Sequence, residues 1–228
     1  MSKIDFYKTI KSVKSINPNY ETHGINVPFR MLIAAPSGAG KTHALCNLIY
    51  AMDKTFHEII ICVLSADEPL YTMIEQRLGN SVKFHESGYV PPLEEFSIID
   101  ASTGKLKRKD KYQRLIVFDD LILSKGANKL ASEYYIKARK LGFSMAYIGQ
   151  SYFQIPKMIR DNCQVFVLGR NLLKKDLRMI LSVFPTEMSL DNFSELYKEL
   201  CSEPLDVCVL DISKRTIKRN FTGDIIRL

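Results

Sequence analysis

Short apolar runs alternate along this chain with segments whose apolar positions recur at helical spacing. Residues 29–35 predict a first strand. Residues 58–65 (EIIICVLS) are β-branched and too short for a helix, so they predict a second, buried one. Strands are likewise predicted at 114–120 (RLIVFDD), 143–150 (FSMAYIGQ), 164–169 (QVFVLG) and 206–212 (DVCVLDI), with a short strand at 81–84 and a hairpin partner at 215–221. Helical spacing predicts helices at 41–53, 68–78, 126–140, 172–183 and 189–200. Two shorter ones are predicted at 5–14 and from Pro156 to Asn162. Residues 85–112 have no period and carry Gly88, Pro91, Pro92 and Gly104, so they read as irregular. The alternation predicts an α/β fold, a mainly parallel sheet with helices on both faces. An N-terminal basic arm at 1–27 and one domain at 28–228 complete this expectation.

Between the first strand and the first long helix stands Ala35-Pro36-Ser37-Gly38-Ala39-Gly40-Lys41-Thr42. Strand, Gly-rich turn, Lys-Thr and helix form the phosphate-binding P-loop pattern, which makes the expected fold that of a P-loop NTPase with a RecA-like sheet. Gly38 and Gly40 let the backbone close on phosphate oxygens, and Ser37 to Thr42 supply N–H groups at a helix N-terminus. Lys41 is expected to reach the β- and γ-phosphates of ATP, and Thr42 to place its hydroxyl on Mg²⁺. Ala35 stands where the usual pattern has Gly, which is tolerable if that position is not left-handed.

The strand 114–120 ends in Asp119-Asp120, the Walker B pattern of a buried strand with acids at its tip. Asp119 is the candidate to hold Mg²⁺, directly or through water, and Asp120 the candidate to polarise the attacking water. Gln150 ends the next strand, where a carboxamide beside the acids can sense the γ-phosphate. The loop itself supplies no arginine. Arg139, Arg160 and Arg170 are candidates for a finger donated by a neighbouring subunit, with Arg139 ranked first because it precedes the Gln150 strand.

The net charge of +7 is unevenly spread over 228 residues. Residues 1–20 carry net +3, 104–114 net +5 and 212–228 net +4, which leaves the remainder at −5. Basicity confined to segments outside the expected core suits a polyanion partner, with Lys105, Lys107, Arg108, Lys109 and Lys111 as candidate DNA contacts. No apolar stretch is long enough to span a membrane, and no apolar signal segment follows Met1. The five cysteines are scattered without CxxC spacing and read as buried free thiols of a reducing compartment.

Taken together, APSGAGKT, LIVFDD, KARKLGFSMAYIGQSYFQIPKMIRDN and VFVLGR resemble the DNA-packaging ATPases of large DNA viruses and virophages, the poxvirus-type branch of the FtsK/HerA pumping ATPases. The resemblance covers about residues 28–184, and its most specific part runs from Arg139 through Gln150 to Arg160. It implies a homo-oligomeric ring, pentamer or hexamer, that uses ATP and Mg²⁺ to move double-stranded DNA into a capsid. Capsid proteins are implied partners, and the host-cell cytoplasm (viral factory) or the virion is the implied location. Lys41, Thr42, Asp119, Asp120 and Gln150 carry over onto matching motifs. Competing readings are a small-molecule P-loop kinase, a DNA-translocating ATPase not tied to a capsid, and a nucleotide switch. A GTPase is disfavoured because Asn128-Lys129-Leu130-Ala131 lacks the Asp of the guanine-reading pattern.

Overall fold

The computed structural model describes residues 15–227. The helix expected at 5–14, with Lys3, Lys8, Lys11 and Lys14, lies outside the described residues. The strands are β1 (Arg30–Ala34), β2 (Glu58–Cys62), β3 (Val82–His85), β4 (Ser97–Ile99), β5 (Leu106–Arg108), β6 (Arg114–Asp119), β7 (Phe143–Gly149), β8 (Val165–Leu168), β9 (Cys208–Asp211), β10 (Thr216–Arg219) and β11 (Ile225–Arg227). The helices are α1 (Tyr20–His23), α2 (Lys41–Ala51), α3 (Pro69–Leu78), α4 (Lys125–Lys137), α5 (Lys157–Arg160), α6 (Lys174–Val183) and α7 (Leu190–Leu200).

Nine strands form one sheet in the order β11-β10-β9-β8-β1-β7-β6-β2-β3. From β8 to β3 every neighbour is parallel, and β9, β10 and β11 add an antiparallel extension. The period of two along β1 explains the two-sided core. Leu32 and Ala34 face a layer with Tyr134, Tyr135 and Phe193 from α4 and α7, while Met31 and Ile33 face Leu45, Leu48 and Ile74 from α2 and α3. Four of the cysteines are buried, Cys46 is half-buried, and all are free thiols.

Three expectations need correction. Residues 85–112 are not wholly irregular: β4 and β5 pair antiparallel, so Lys107 and Arg108 lie on a hairpin. Alternation over three residues is too short to register as a period. The boundary at 27/28 falls inside packed structure, because Ile25 and His23 are buried and Asn17 and Asn19 donate to the carbonyls of Ile25 and Ala51. The basic segments are partly core. Arg114 is buried between Glu58 (2.8 Å) and Asp110 (2.6 Å), and Lys218 is buried against the carbonyls of His23 and Phe221, each at 2.5 Å. Charge counting along a chain cannot show such burial, because Glu58 and His23 come from segments distant in sequence.

The His23 site yields a pH dependence. Ile25 N–H donates to Nδ1 at 3.0 Å, so the imidazole is held neutral with its proton on Nε2, which faces Asn17 Oδ1 at 3.1 Å. Burial and the neighbouring Lys218 and Lys214 push its pKa down to about 4. The unfolded chain therefore binds this proton first, and stability present above pH 6.5 is lost as pH falls towards 4. The expected loss is about 2–3 kcal/mol, seen as a lower urea midpoint at pH 4 than at pH 7. His23→Gln should flatten that limb, and a slope unchanged in this variant would assign the effect elsewhere.

Candidate nucleotide-binding site

The C-terminal ends of β1, β7, β6 and β8 share one edge of the sheet, and the predicted phosphate and acidic motifs meet there. Gly38 (φ 72°) and Gly40 (φ 84°) both take left-handed backbone, which L side chains adopt only at a cost, so the loop needs glycine at these two places. Gly40 caps α2, whose N-terminal N–H groups and dipole are directed at the loop. Ala35 is not left-handed. A Cβ on Gly169, which follows the adjacent strand β8, would come within 2.6 Å of the Ala35 side chain. The methyl group is accommodated because its neighbour has none. Lys41 Nζ lies 3.4 Å from the Pro36 carbonyl, folded back over Ser37 to Ala39.

β7 separates β1 from β6, so the phosphate loop and the acidic tip stand two strand spacings apart, roughly 10 Å. Asp119 ends β6. Burial, with Asp120 nearby, raises its pKa to about 6, while Tyr71 and Lys41 oppose the shift. Asp120 is left-handed (φ 50°) and turns its carboxylate towards Gln150, whose Nε2 donates to Oδ2 at 2.7 Å. Gln150 thus sits beside the acids, where the parallel sheet places it. Asn128 is not a base reader. It donates to the carbonyls of Leu121 and Ile122 and accepts from the Tyr147 hydroxyl at 2.7 Å, bracing the turn after the acids.

Several residues here carried no motif. Glu68 and Tyr71, at the start of α3, contact Thr42 and Asp119. Asp176, buried on α6, accepts from Ser151 Oγ and Phe153 N–H and pins the loop after β7. Leu205 reaches over the phosphate loop, where a Cβ on Gly40 would come within 2.8 Å of it. Each comes from an element far along the chain, so only a spacing known in advance could have found it.

The donor set suits a hard divalent cation that arrives with its nucleotide. No group of three or more His, Cys, Asp or Glu side chains able to hold a metal alone occurs among the described residues. One hydroxyl (Thr42) and one carboxylate (Asp119) beside a phosphate loop match Mg²⁺, which keeps several waters and takes the rest of its ligands from phosphate oxygens. Beyond the larger effect of burial, the carboxylates of Asp120 and Glu68 raise the Asp119 pKa, and Tyr71 and Lys41 lower it.

Arg139, Arg160 and the basic hairpin lie elsewhere. Arg139 is exposed and precedes β7, so it sits at the opposite edge from its own phosphate loop. β7 alone spans roughly 20 Å. Arg160 is partly buried over the Tyr152 ring at 5.1 Å, whereas Arg170 follows β8 on the nucleotide edge. At the far edge a cleft of about 690 Å³ includes Lys54, His57, Arg108, Lys111 and Arg139, and among the described residues no carboxylate lines it. Lys107 pairs with Asp100, Arg108 donates to the Tyr112 carbonyl at 2.6 Å, and Lys109 approaches the Glu95 carbonyl at 3.5 Å. Among the described residues Lys105 and Lys111 form no ion pair. No helix among the described residues is long and apolar enough to cross a membrane.

The fold is similar to several solved structures. The genome-packaging NTPase B204 of Sulfolobus turreted icosahedral virus 2, bound to ATP-gammaS, aligns at TM-score 0.56 with 11% identity, over 89% of this chain and 100% of its own. B204 of Sulfolobus turreted icosahedral virus, a DNA-packaging ATPase, aligns at 0.55 with 11% identity, over 86% and 98%. The cytoplasmic domain of the type VII secretion ATPase EccC of Thermomonospora curvata aligns at 0.56 with 13% identity, over 86% of this chain, which spans 25% of that one. At these identities the likeness concerns the fold, a P-loop NTPase sheet. Comparison with curated proteins finds no match. The family model for the poxvirus A32 protein matches residues 20–200, which include the phosphate loop, the acidic tip, Gln150 and all three arginines. The chain belongs to the poxvirus A32 protein family.

Proposed function

We propose that this protein is a DNA-packaging ATPase, a homo-oligomeric ring that hydrolyses ATP to move double-stranded DNA into a capsid. The observation that carries the reading is the meeting of Lys41 and Thr42 with Asp119, Asp120 and Gln150 on one sheet edge, in a chain of this family. Ser37 to Thr42 would hold the phosphates, Lys41 would neutralise charge on the transferring group, and Thr42 and Asp119 would hold Mg²⁺. When bound there, the ion would neutralise negative charge on the phosphate oxygens. Asp120, oriented by Gln150, takes the attacking water, and the same hydrogen bond reports to Gln150 when the γ-phosphate is lost.

Arg139 lies across the sheet from its own site, so as a finger it acts on a neighbour's ATP. That is the dependence a ring requires. The DNA-contact reading rests on Lys105, Lys107, Arg108, Lys109 and Lys111, supported by the cleft that Lys54, Arg108, Lys111 and Arg139 line. Work on DNA and hydrolysis then occur at opposite edges of one rigid sheet. Capsid proteins are the proposed partners, and the host-cell cytoplasm or the virion the proposed location.

The test is ATP turnover with and without linear duplex DNA. Stimulation by DNA is expected. Turnover that ignores DNA and needs a second small substrate would favour a kinase instead. Lys105→Ala with Lys111→Ala removes two exposed charges without breaking an internal pair. This double variant should lower the slope of log affinity against log salt by up to about two. An unchanged slope would place the DNA contact elsewhere.

A further inference from the structure

Two residues outside the motifs touch the two groups assigned to the cation. Thr42 Oγ1 donates to Glu68 Oε2 at 3.2 Å, and the Tyr71 hydroxyl donates to Asp119 Oδ2 in a short hydrogen bond. Glu68 and Tyr71 belong to one structural unit. Glu68 is the N-cap residue of α3, Tyr71 lies within its first turn, and Tyr71 N–H bonds the Glu68 carbonyl at 3.0 Å. Pro69 opens the helix at a position where no N–H is needed. Tyr71 is buried and packs on Phe84 of the neighbouring strand, with ring centroids 5.4 Å apart, so its hydroxyl is held in place. One helix start therefore reaches the phosphate loop and the acidic tip together.

The chemistry of the two bonds is the same. A hydroxyl that ligates a cation does so through oxygen lone pairs, and its proton must go elsewhere. Glu68 accepts the Thr42 proton, which turns the lone pairs of Oγ1 away from Glu68. A ligating carboxylate offers one oxygen to the metal and needs the other oriented. Tyr71 occupies Oδ2 of Asp119 and leaves Oδ1 as the available donor. We infer that Glu68 and Tyr71 are a pair of positioning residues that hold Thr42 and Asp119 in their cation-ligating arrangement. The inference rests on the ATPase reading of the same site. It adds that the start of α3 tunes the cation without touching nucleotide.

The pair is tested by binding rather than turnover. A fluorescent ATP analogue is titrated in EDTA and then over a range of Mg²⁺, with wild type, Glu68→Ala, Glu68→Gln and Tyr71→Phe. Wild type is expected to bind weakly in EDTA and more tightly with Mg²⁺. Glu68→Ala and Tyr71→Phe should each move the Mg²⁺ midpoint upward about 10- to 100-fold and leave affinity in EDTA within about twofold. Glu68→Gln keeps an acceptor for the Thr42 proton and should recover most of the shift. An unmoved midpoint in either Glu68→Ala or Tyr71→Phe overturns the paired assignment. So does an equal loss with and without Mg²⁺, which would mean a distorted phosphate loop. Melting curves of each variant separate that result from misfolding. If wild type itself binds no nucleotide, the ATPase reading fails. If wild type responds to Mg²⁺ and the variants match it, only the positioning role fails.

Discussion

Lys41→Ala is expected to lower ATP turnover by about 10²–10³-fold, the scale on which removal of one preorganised charge-stabilising donor acts. The lysine stands at the first position of α2, after a loop whose two left-handed glycines fold the backbone into a cradle. In the proposed reading its ammonium is the cation that the loop directs at the β- and γ-phosphates. Among the described residues its one hydrogen bond is long, 3.4 Å to Pro36 O, so its loss should change folding stability by no more than about 0.5 kcal/mol. The measurement is steady-state phosphate release with duplex DNA, beside a melting curve. Turnover within tenfold of wild type, in protein that melts normally, would remove Lys41 from the phosphoryl-transfer step. A second variant, Arg139→Ala, mixed with wild type, tests the proposed finger. If fingers act between subunits, small fractions of an Arg139→Ala protomer should silence neighbours whose own phosphate loops are intact.

Phe118→Ala should destabilise the protein by about 3–5 kcal/mol. Phe118 is fully buried on β6, immediately before Asp119. Its ring lies against Tyr134 at 5.6 Å, Tyr147 at 6.3 Å and Tyr135 at 6.4 Å. These partners are themselves tied: Tyr135 donates to the Met31 carbonyl at 2.5 Å, Tyr134 to Pro91 and Tyr147 to Asn128. Rings fixed by their own hydrogen bonds cannot collapse into the vacated volume, which puts the cost at the upper part of the range. The apparent melting temperature should fall by roughly 6–20 °C, at 2–4 °C per kcal/mol for a chain of this size. A loss below about 1.5 kcal/mol would show that the cluster repacks. The functional consequence follows from chain continuity, since the tip carrying Asp119 and Asp120 is anchored by the residue before it.

Much of the parallel sheet was legible because its strands are short, β-branched and apolar throughout, a pattern that follows from burial on both faces. The antiparallel hairpin of β4 and β5 was not, because strands of three residues have too little alternation to stand out. β11 was missed for the same reason, being three exposed residues at a sheet edge. Lys41, Thr42, Asp119, Asp120 and Gln150 could be picked out since each closes or follows a readable strand. Glu68, Tyr71, Asp176 and Leu205 could not. They reach the site through folding alone, from helices and a turn with ordinary local composition.

Charge shows the same division. Residues 104–114 and 212–228 read as basic segments outside the core, yet Arg114 and Lys218 are buried and satisfied in part by partners 56 and 195 positions away in sequence. By itself the chain determined the order of strands and helices, the phosphate loop and the acid pair, since these depend on local periodicity and on backbone freedom at two glycines. Tertiary structure alone decided which strand lies between them, which side chains orient the hydroxyl and the carboxylate, and that Arg139 faces away from its own site. Those outcomes depend on strand order and helix packing, and hydrogen bonds between residues distant in sequence leave no periodic trace along it.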